Sequence, residues 1–222
     1  GSGATITGTT SLTLSASDLG VASFTGLGLQ GTIGNYTITA ASDGLTSATQ
    51  DTTLTHGAAY SLSIERAASG ARAGMEFITQ PRIETLDQDG NRVTTGDGAS
   101  LNIRALLGGS GSTLAGTLTA YSTNGLADFS DLVVSGTAGS YQLTFEVLSP
   151  AQFTSLASDD QTIDLLAGAP AKLVVLQQPA DIIAGEDFAD DVQVEIQDGW
   201  DNPVLSDSSS TIKPILVSSD GI

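Results

Sequence analysis

The chain has no cysteine at all, which excludes disulfides, thiolate metal sites and cysteine nucleophiles together. It has one histidine, one tryptophan and one methionine, and aromatics make up only 5% of its 222 residues. A lone histidine, His56, cannot by itself build a zinc centre or a triad, and no nucleophile elbow or phosphate-cradling loop accompanies it. "GGSGS" at 108–112 lacks the Lys and the helix that a P-loop needs. His56 is read as a linker residue, and the chain as non-enzymatic.

Basic residues are scarce as well. Seven Lys plus Arg stand against 25 Asp plus Glu, a formal net charge of -18. Such a field repels phosphate backbones and anionic headgroups, so nucleic acid is not an expected partner. No run of about 20 apolar residues is present, so insertion into a membrane by a helix is not expected. The opening "GSGATITG" has neither the basic region nor the apolar core of a secretory signal, and any targeting segment is expected elsewhere.

Gly, Ser, Thr and Ala are abundant, and they separate short runs of Val, Ile and Leu, a composition suited to an all-β chain with many turns. The chain also repeats itself. Residues 20–40 laid on 125–145, an offset of 105, match at nine of 21 positions: Gly20, Ala22, Phe24, Leu27, Gly31, Thr32, Gly34, Tyr36 and Thr39. Residues 57–93 laid on 168–204, an offset of 111, match at Gly57, Ala58, Leu62, Ala73, Gly74, Phe77, Glu84, Asp87, Asn91 and Val93. The growth in offset places about six extra residues near "EVLSPAQFTSLASDD".

One complete repeat therefore occupies 58–168, hereafter the middle segment. The back part of a repeat occupies 1–57, the head, and the front part of another occupies 169–222, the tail. "PILVSSDGI" running into "GSGATITGTTSLTL" reads as one whole repeat. The two parts are expected to complete one domain, in cis, in trans, or as neighbours cut from a longer array. Strand edges or apolar faces needing partners follow in each case.

Within the middle segment, strand-like runs are expected at 60–64, 81–88, 100–107, 114–122, 126–134, 140–148 and 161–167, separated by turn signals such as "DQDGN" and "GTAGS". Seven strands in this length suit an immunoglobulin-like β-sandwich. In "SYQLTFEVL", Tyr141, Leu143, Phe145 and Val147 share one face and should be core. The expected fold class is all-β: immunoglobulin-like β-sandwich repeats in tandem, with a period of about 111 residues.

The frame "A.LVV.QQP....AG.DF...V.V.IQDG.DNPV" at 171–204, continued by "G.L.GT.TA.S.NGLADFSDL.V.GTAGSYQLTF", resembles the bacterial immunoglobulin-like repeats of large surface adhesins and cell-envelope proteins. The resemblance covers essentially the whole chain. It implies an extracellular place on a bacterial cell surface and a structural role in a stalk or filament of head-to-tail modules. The alternatives are an adhesive module that binds a carbohydrate or protein receptor, or an S-layer lattice component. Expected partners are other copies of the chain or neighbouring repeats, with a cell-surface receptor or glycan under the adhesive alternative.

The chemical candidates lie in one recurring turn: Asp87, Asp89 and Asn91, matched by Asp198, Asp201 and Asn202. Oxygen ligands in a Gly-bearing loop near a module junction can hold Ca²⁺. The same residues also suit a turn that uses Asp and Asn for local backbone hydrogen bonds. No other cofactor is expected. Trp200, where the other copy has Asp89, is expected at the turn tip, against a ligand, a neighbouring subunit or its own sandwich. Tyr36 and Tyr141 are expected to tie a loop to the backbone, as in a tyrosine corner. Asn35-Tyr36-Thr37 fits the glycosylation acceptor pattern. Asp159-Asp160 and Asp190-Asp191 read as solvated pairs, and the insertion at Gln152–Asp159 is a second candidate binding surface.

Overall fold

A computed structural model of the chain describes residues 3–217. The last five residues of "PILVSSDGI" and the first two of "GSGATITG" lie outside them. The fold is all-β. The head contributes β1 (Ala4–Thr7), β2 (Gly28–Gly31), β3 (Gly34–Ala40) and β4 (Ala48–Leu54). The middle segment begins with β5 (Ser61–Arg66), β6 (Met75–Glu76), β7 (Arg82–Leu86) and β8 (Asn102–Gly108). It continues with β9 (Ser112–Ala115), β10 (Thr119–Tyr121), β11 (Leu126–Asp128), β12 (Val133–Gly136), β13 (Gly139–Ser149) and β14 (Asp159–Leu165). The tail adds β15 (Lys172–Gln177) and β16 (Gln193–Gln197).

In the middle segment a four-stranded sheet runs β10-β8-β13-β14, and three-stranded sheets run β11-β7-β5 and β6-β12-β9. Alternation decides which side of each strand is dry. Tyr141, Leu143, Phe145 and Val147 of β13 are buried, as are Leu101, Ile103 and Ala105 along β8 and just before it. They join Leu62, Phe77, Ile83, Phe129 and Leu132 in one core, in which the Phe129 and Phe145 rings lie 5.4 Å apart. Aromatic pairs at this separation add to the burial of their area.

Two of the expected runs are broken. The run 114–122 divides at Gly116, so that β9 pairs with β12 while β10 pairs with β8. The run 126–134 divides between β11, on β7, and β12, on β6 and β9. The break is local chemistry. Gly116 has φ +96°, and a Cβ there would stand 2.1 Å from the carbonyl oxygen of Asp131, so only glycine lets the two backbones touch as the chain changes sheet. Gly8 of the head makes the same approach, its would-be Cβ 2.0 Å from the Gly26 carbonyl.

The pairing follows the repeat in register. Gly34↔Leu54 opens the β3–β4 ladder as Gly139↔Leu165 opens β13–β14. Lys172↔Gln197 starts β15–β16 as Ser61↔Leu86 starts β5–β7, and both ladders shift register at the same place, Val175/Gln177 and Ile64/Arg66. The inserted residues lengthen the hairpin. β13 has 11 residues where β3 has 7, and the loop beyond it folds Phe153 and Leu156 against the core. The insertion thus closes one end of the core instead of forming an independent patch.

Candidate functional site: the junction turns

The recurring acidic turn does not stay within its own segment. Asp87 and Asn91 are both buried. The Asp87 carboxylate accepts from the Asp89 and Asn91 backbone N–H groups at 2.9 and 2.8 Å, which closes the turn. Its other oxygen accepts the Gly57 N–H at 2.7 Å, in the link from the head. Asn91 then reaches across: its amide donates to the Gly31 carbonyl at 2.9 Å and its side-chain oxygen accepts the Ile33 N–H at 3.0 Å. A side-chain amide facing alternate backbone groups in this way substitutes for one rung of a β-ladder. The rung joins two segments.

The second junction repeats the arrangement. Asp198 accepts from the Trp200 and Asn202 N–H groups at 2.8 and 3.0 Å and from Gly168 N–H at 2.7 Å. Asn202 donates to the Gly136 carbonyl at 2.9 Å and accepts from Ala138 N–H at 2.7 Å. In both copies the Asn amide also donates to the partner Asp, at 3.0 and 2.8 Å. Gly31 and Gly136, like Gly57 and Gly168, are repeat-matched residues. The contact is therefore between equivalent groups each time.

Burial pushes the Asp87 carboxyl up, but the hydrogen bonds from Gly57, Asn91 and Asp89 together outweigh it and hold the group below the ordinary carboxylate range. Asp198 behaves likewise, with burial opposed by Asn202, Gly168 and Trp200. Both are therefore anions at neutral pH, held by N–H donors, an arrangement in which each hydrogen bond carries charge assistance.

The remaining candidates diverge from these pairs. Asp89 turns its carboxylate across the first junction, accepting from Gln30 Nε2 at 3.0 Å and Gly31 N–H at 3.2 Å. Asp201, with φ +67°, makes an exposed ion pair with Lys172. Among the described residues no group of three or more His, Asp or Glu side chains comes together as a metal site. Trp200 lies against the middle segment: a Cβ on Gly74 would stand 2.0 Å from its ring, so the glycine leaves the space that the indole fills. His56 bridges the first junction, its Nδ1 beside the Gly57 carbonyl at 2.9 Å and its Nε2 accepting the Thr95 N–H at 3.2 Å. These contacts fit the tautomer with the proton on Nδ1.

Tyr36 and Tyr141 donate to the Thr32 and Thr137 carbonyls at 2.6 and 2.7 Å, so each hydroxyl ties the strand start to its preceding turn. Asp159 is not merely solvated, since it accepts the Ile64 N–H at 2.7 Å and helps hold β5 to the end of β14. Asn35, first residue of the acceptor triplet, accepts from Thr53 Oγ1 at 2.8 Å on an exposed strand face.

What sequence reasoning missed was the far side of each clamp: Gly31 and Ile33, Gly136 and Ala138. The signal was present in Gly31/Gly136, a glycine conserved between copies at the same place as the turn that grips it.

No family model matches this chain, and no curated protein matches it. Solved structures with partial similarity include a beta-glycosidase from Bacteroides vulgatus, with a TM-score of 0.37 at 15% identity over 62% of this chain and 18% of that one. Surface layer protein SbsC, domains 1-6, gives 0.31 at 12% identity over 78% and 20%. The S-layer protein rSbsC(31-844) gives 0.34 at 12% over 81% and 21%. The chain spans about one fifth of the length of each.

Proposed function

We propose that this chain is an architectural segment: immunoglobulin-like β-sandwich modules in tandem, forming a stiff stalk or filament on the outside of a bacterial cell. The observation that carries the reading is the doubled junction. Asp87 with Asn91, and Asp198 with Asn202, grip equivalent backbone groups of the preceding segment at closely similar distances. A binding module needs such a constraint on one face, whereas a load-bearing array needs it at every link.

The module reading is supported by ladders that recur in register and by the shared bulge of β5 and β15. The surface location is supported by the resemblance to adhesin and envelope repeats and by a strongly acidic, cysteine-free composition. Positions that would favour a ligand-binding tip are otherwise engaged, with Trp200 against Gly74 and the insertion against the core. The role is mechanical, without catalysis.

Small-angle scattering of the chain and of an Asn91→Ala/Asn202→Ala double variant tests this. A rod-like distance distribution that collapses to a broad, flexible one in the variant is the expected result. Equal flexibility in both would remove the junctions as stiffeners, and the reading with them.

A further inference from the structure

We infer that the exposed apolar face of the head is the docking surface for the tail of a second copy of this chain, the two closing one composite sandwich. The inference rests on the tandem-module reading and names the partner.

The middle segment supplies the template. There β5 to β8 and β9 to β14 cover one another, and specific bonds cross between them: Leu62 N–H to the Ala157 carbonyl at 3.0 Å, Ala73 N–H to Leu166 at 2.9 Å, Phe77 N–H to Leu132 at 3.2 Å. The tail holds the counterparts of the first set and the head those of the second, and both leave their apolar residues uncovered. Phe24 and Leu27 in the head, and Leu173 and Phe188 in the tail, are all exposed. In the head, Ile6, Phe24, Leu27, Ile38 and Ala40 line an open groove of about 330 Å³.

The free strand edge lies beside that groove. β13 is paired on both sides, by β14 and by β8, whereas β3 is paired only by β4. The segment that corresponds to β8 begins at Lys213 and, over its described residues to Val217, forms no ladder, with Leu216 and Val217 exposed. Carrying the β13–β8 register across, Phe145↔Ala105 becomes Ala40 opposite Leu216, and Thr144↔Leu106 becomes Thr39 opposite Val217. The first pair exchanges its sizes. Where the middle segment sets a large residue on β13 against a small one on β8, the composite sets a small one on β3 against a large one from the tail, so the core volume is kept.

The occupant is a second copy and not the same chain's tail. The middle segment holds the head through Asp87 and Asn91, and holds the tail separately through Gly136 and Ala138. With each end so gripped, both faces stay open. Both partners are acidic: the head has Asp18, Asp43 and Asp51 with no Lys or Arg, and in the tail Lys172 and Lys213 are outnumbered by Asp and Glu. Association is therefore expected to strengthen as salt screens the repulsion.

Sedimentation velocity of the full chain over a concentration series, at low and high salt, tests the inference with Ala40→Asp and Leu216→Asp. Both positions are exposed in the single chain, so the middle core should unfold in urea as it does in the wild type. Wild type should grow into chains of many copies, more so in high salt. Each variant alone should stay monomeric, because an unpaired carboxylate buried in the composite core weakens association at least ~100-fold. An equimolar mixture of the two should form dimers that grow no further, since each supplies the one competent face that the other lacks. Wild type that stays monomeric throughout, or variants that polymerise like it, overturns the inference. The underlying module reading is judged separately, by hydrogen-exchange protection of the Gly57 and Gly168 amides in the monomer. Protection there with no assembly leaves the tandem modules standing and removes only the trans partner.

Discussion

Phe129 in the middle segment is 3% exposed, and Phe24, its counterpart in the head, is 41% exposed; Leu62 is 4% exposed and Leu173, its counterpart in the tail, 54%. The same residues in the same strands thus occupy two environments. What survives in the isolated halves is what each half encodes alone: the β3–β4 and β15–β16 ladders, the bulge at Gln177, the kink at Gly8 and the Tyr36 tie. What is lost is the dry interior. Pairing here is a local property and burial a shared one, because hydrogen-bonded ladders need one neighbour whereas a sandwich core needs both layers.

The largest effect that would break this comparison is a core truncation made in both places. Phe129→Ala should cost the middle segment about 3–5 kcal/mol through the cavity it leaves. Phe24→Ala in the monomeric chain should cost less than about 1 kcal/mol, as an exposed side chain has little burial to lose. Urea unfolding of each variant measures the difference, and equal losses would mean that the head is already covered.

Removing the clamp comes next. Asp87→Ala leaves the Gly57, Asp89 and Asn91 donors without their acceptor, and a loss of about 2–4 kcal/mol in the coupling of head to middle is expected from several charge-assisted bonds. Exchange at the Gly57 amide should rise while the core amides of β13 stay protected. A fall in protection throughout the middle segment would show that the turn belongs to the core and not to the junction.

Acid should act on the same groups. Because Asp87 and Asp198 titrate below the ordinary carboxyl value when folded, their contribution is complete above about pH 4 and is lost as pH falls from there through the lowered values. Trp200 is the only tryptophan and sits at the second junction. Its emission should shift to the red in that window while far-ultraviolet circular dichroism persists, and Asp198→Asn should reduce the shift.

The smallest effect separates the two tyrosines. Tyr141→Phe should cost about 1 kcal/mol for one hydrogen bond in a mostly buried setting. Tyr36→Phe should cost less, since water can reach its hydroxyl. Thermal unfolding of the two variants ranks them.

Much of this was legible in the chain. The repeat predicted which ladders recur, and the alternation in 140–148 named the buried face of β13. The broken runs were not legible, because Gly116 is required by its distance to the Asp131 carbonyl, a contact that appears only once the chain has changed sheet. Nor was the clamp. A turn rich in Asp and Asn announces local hydrogen bonds, and Asp87 makes them, but Asn91 bonds to groups 58 and 60 residues away. Sequence spacing names the donor and leaves the distant acceptor unnamed.

The paired junctions also have a meaning in the language of symmetry. When one module is placed on the next by equivalent bonds between equivalent atoms, the placement is a single rotation and translation, and repeating it generates a screw. A row of such modules has a definite rise and handedness per step. The substitution of Trp200 for Asp89 at the same turn position then acts as a periodic perturbation of that screw, dividing its links into two kinds.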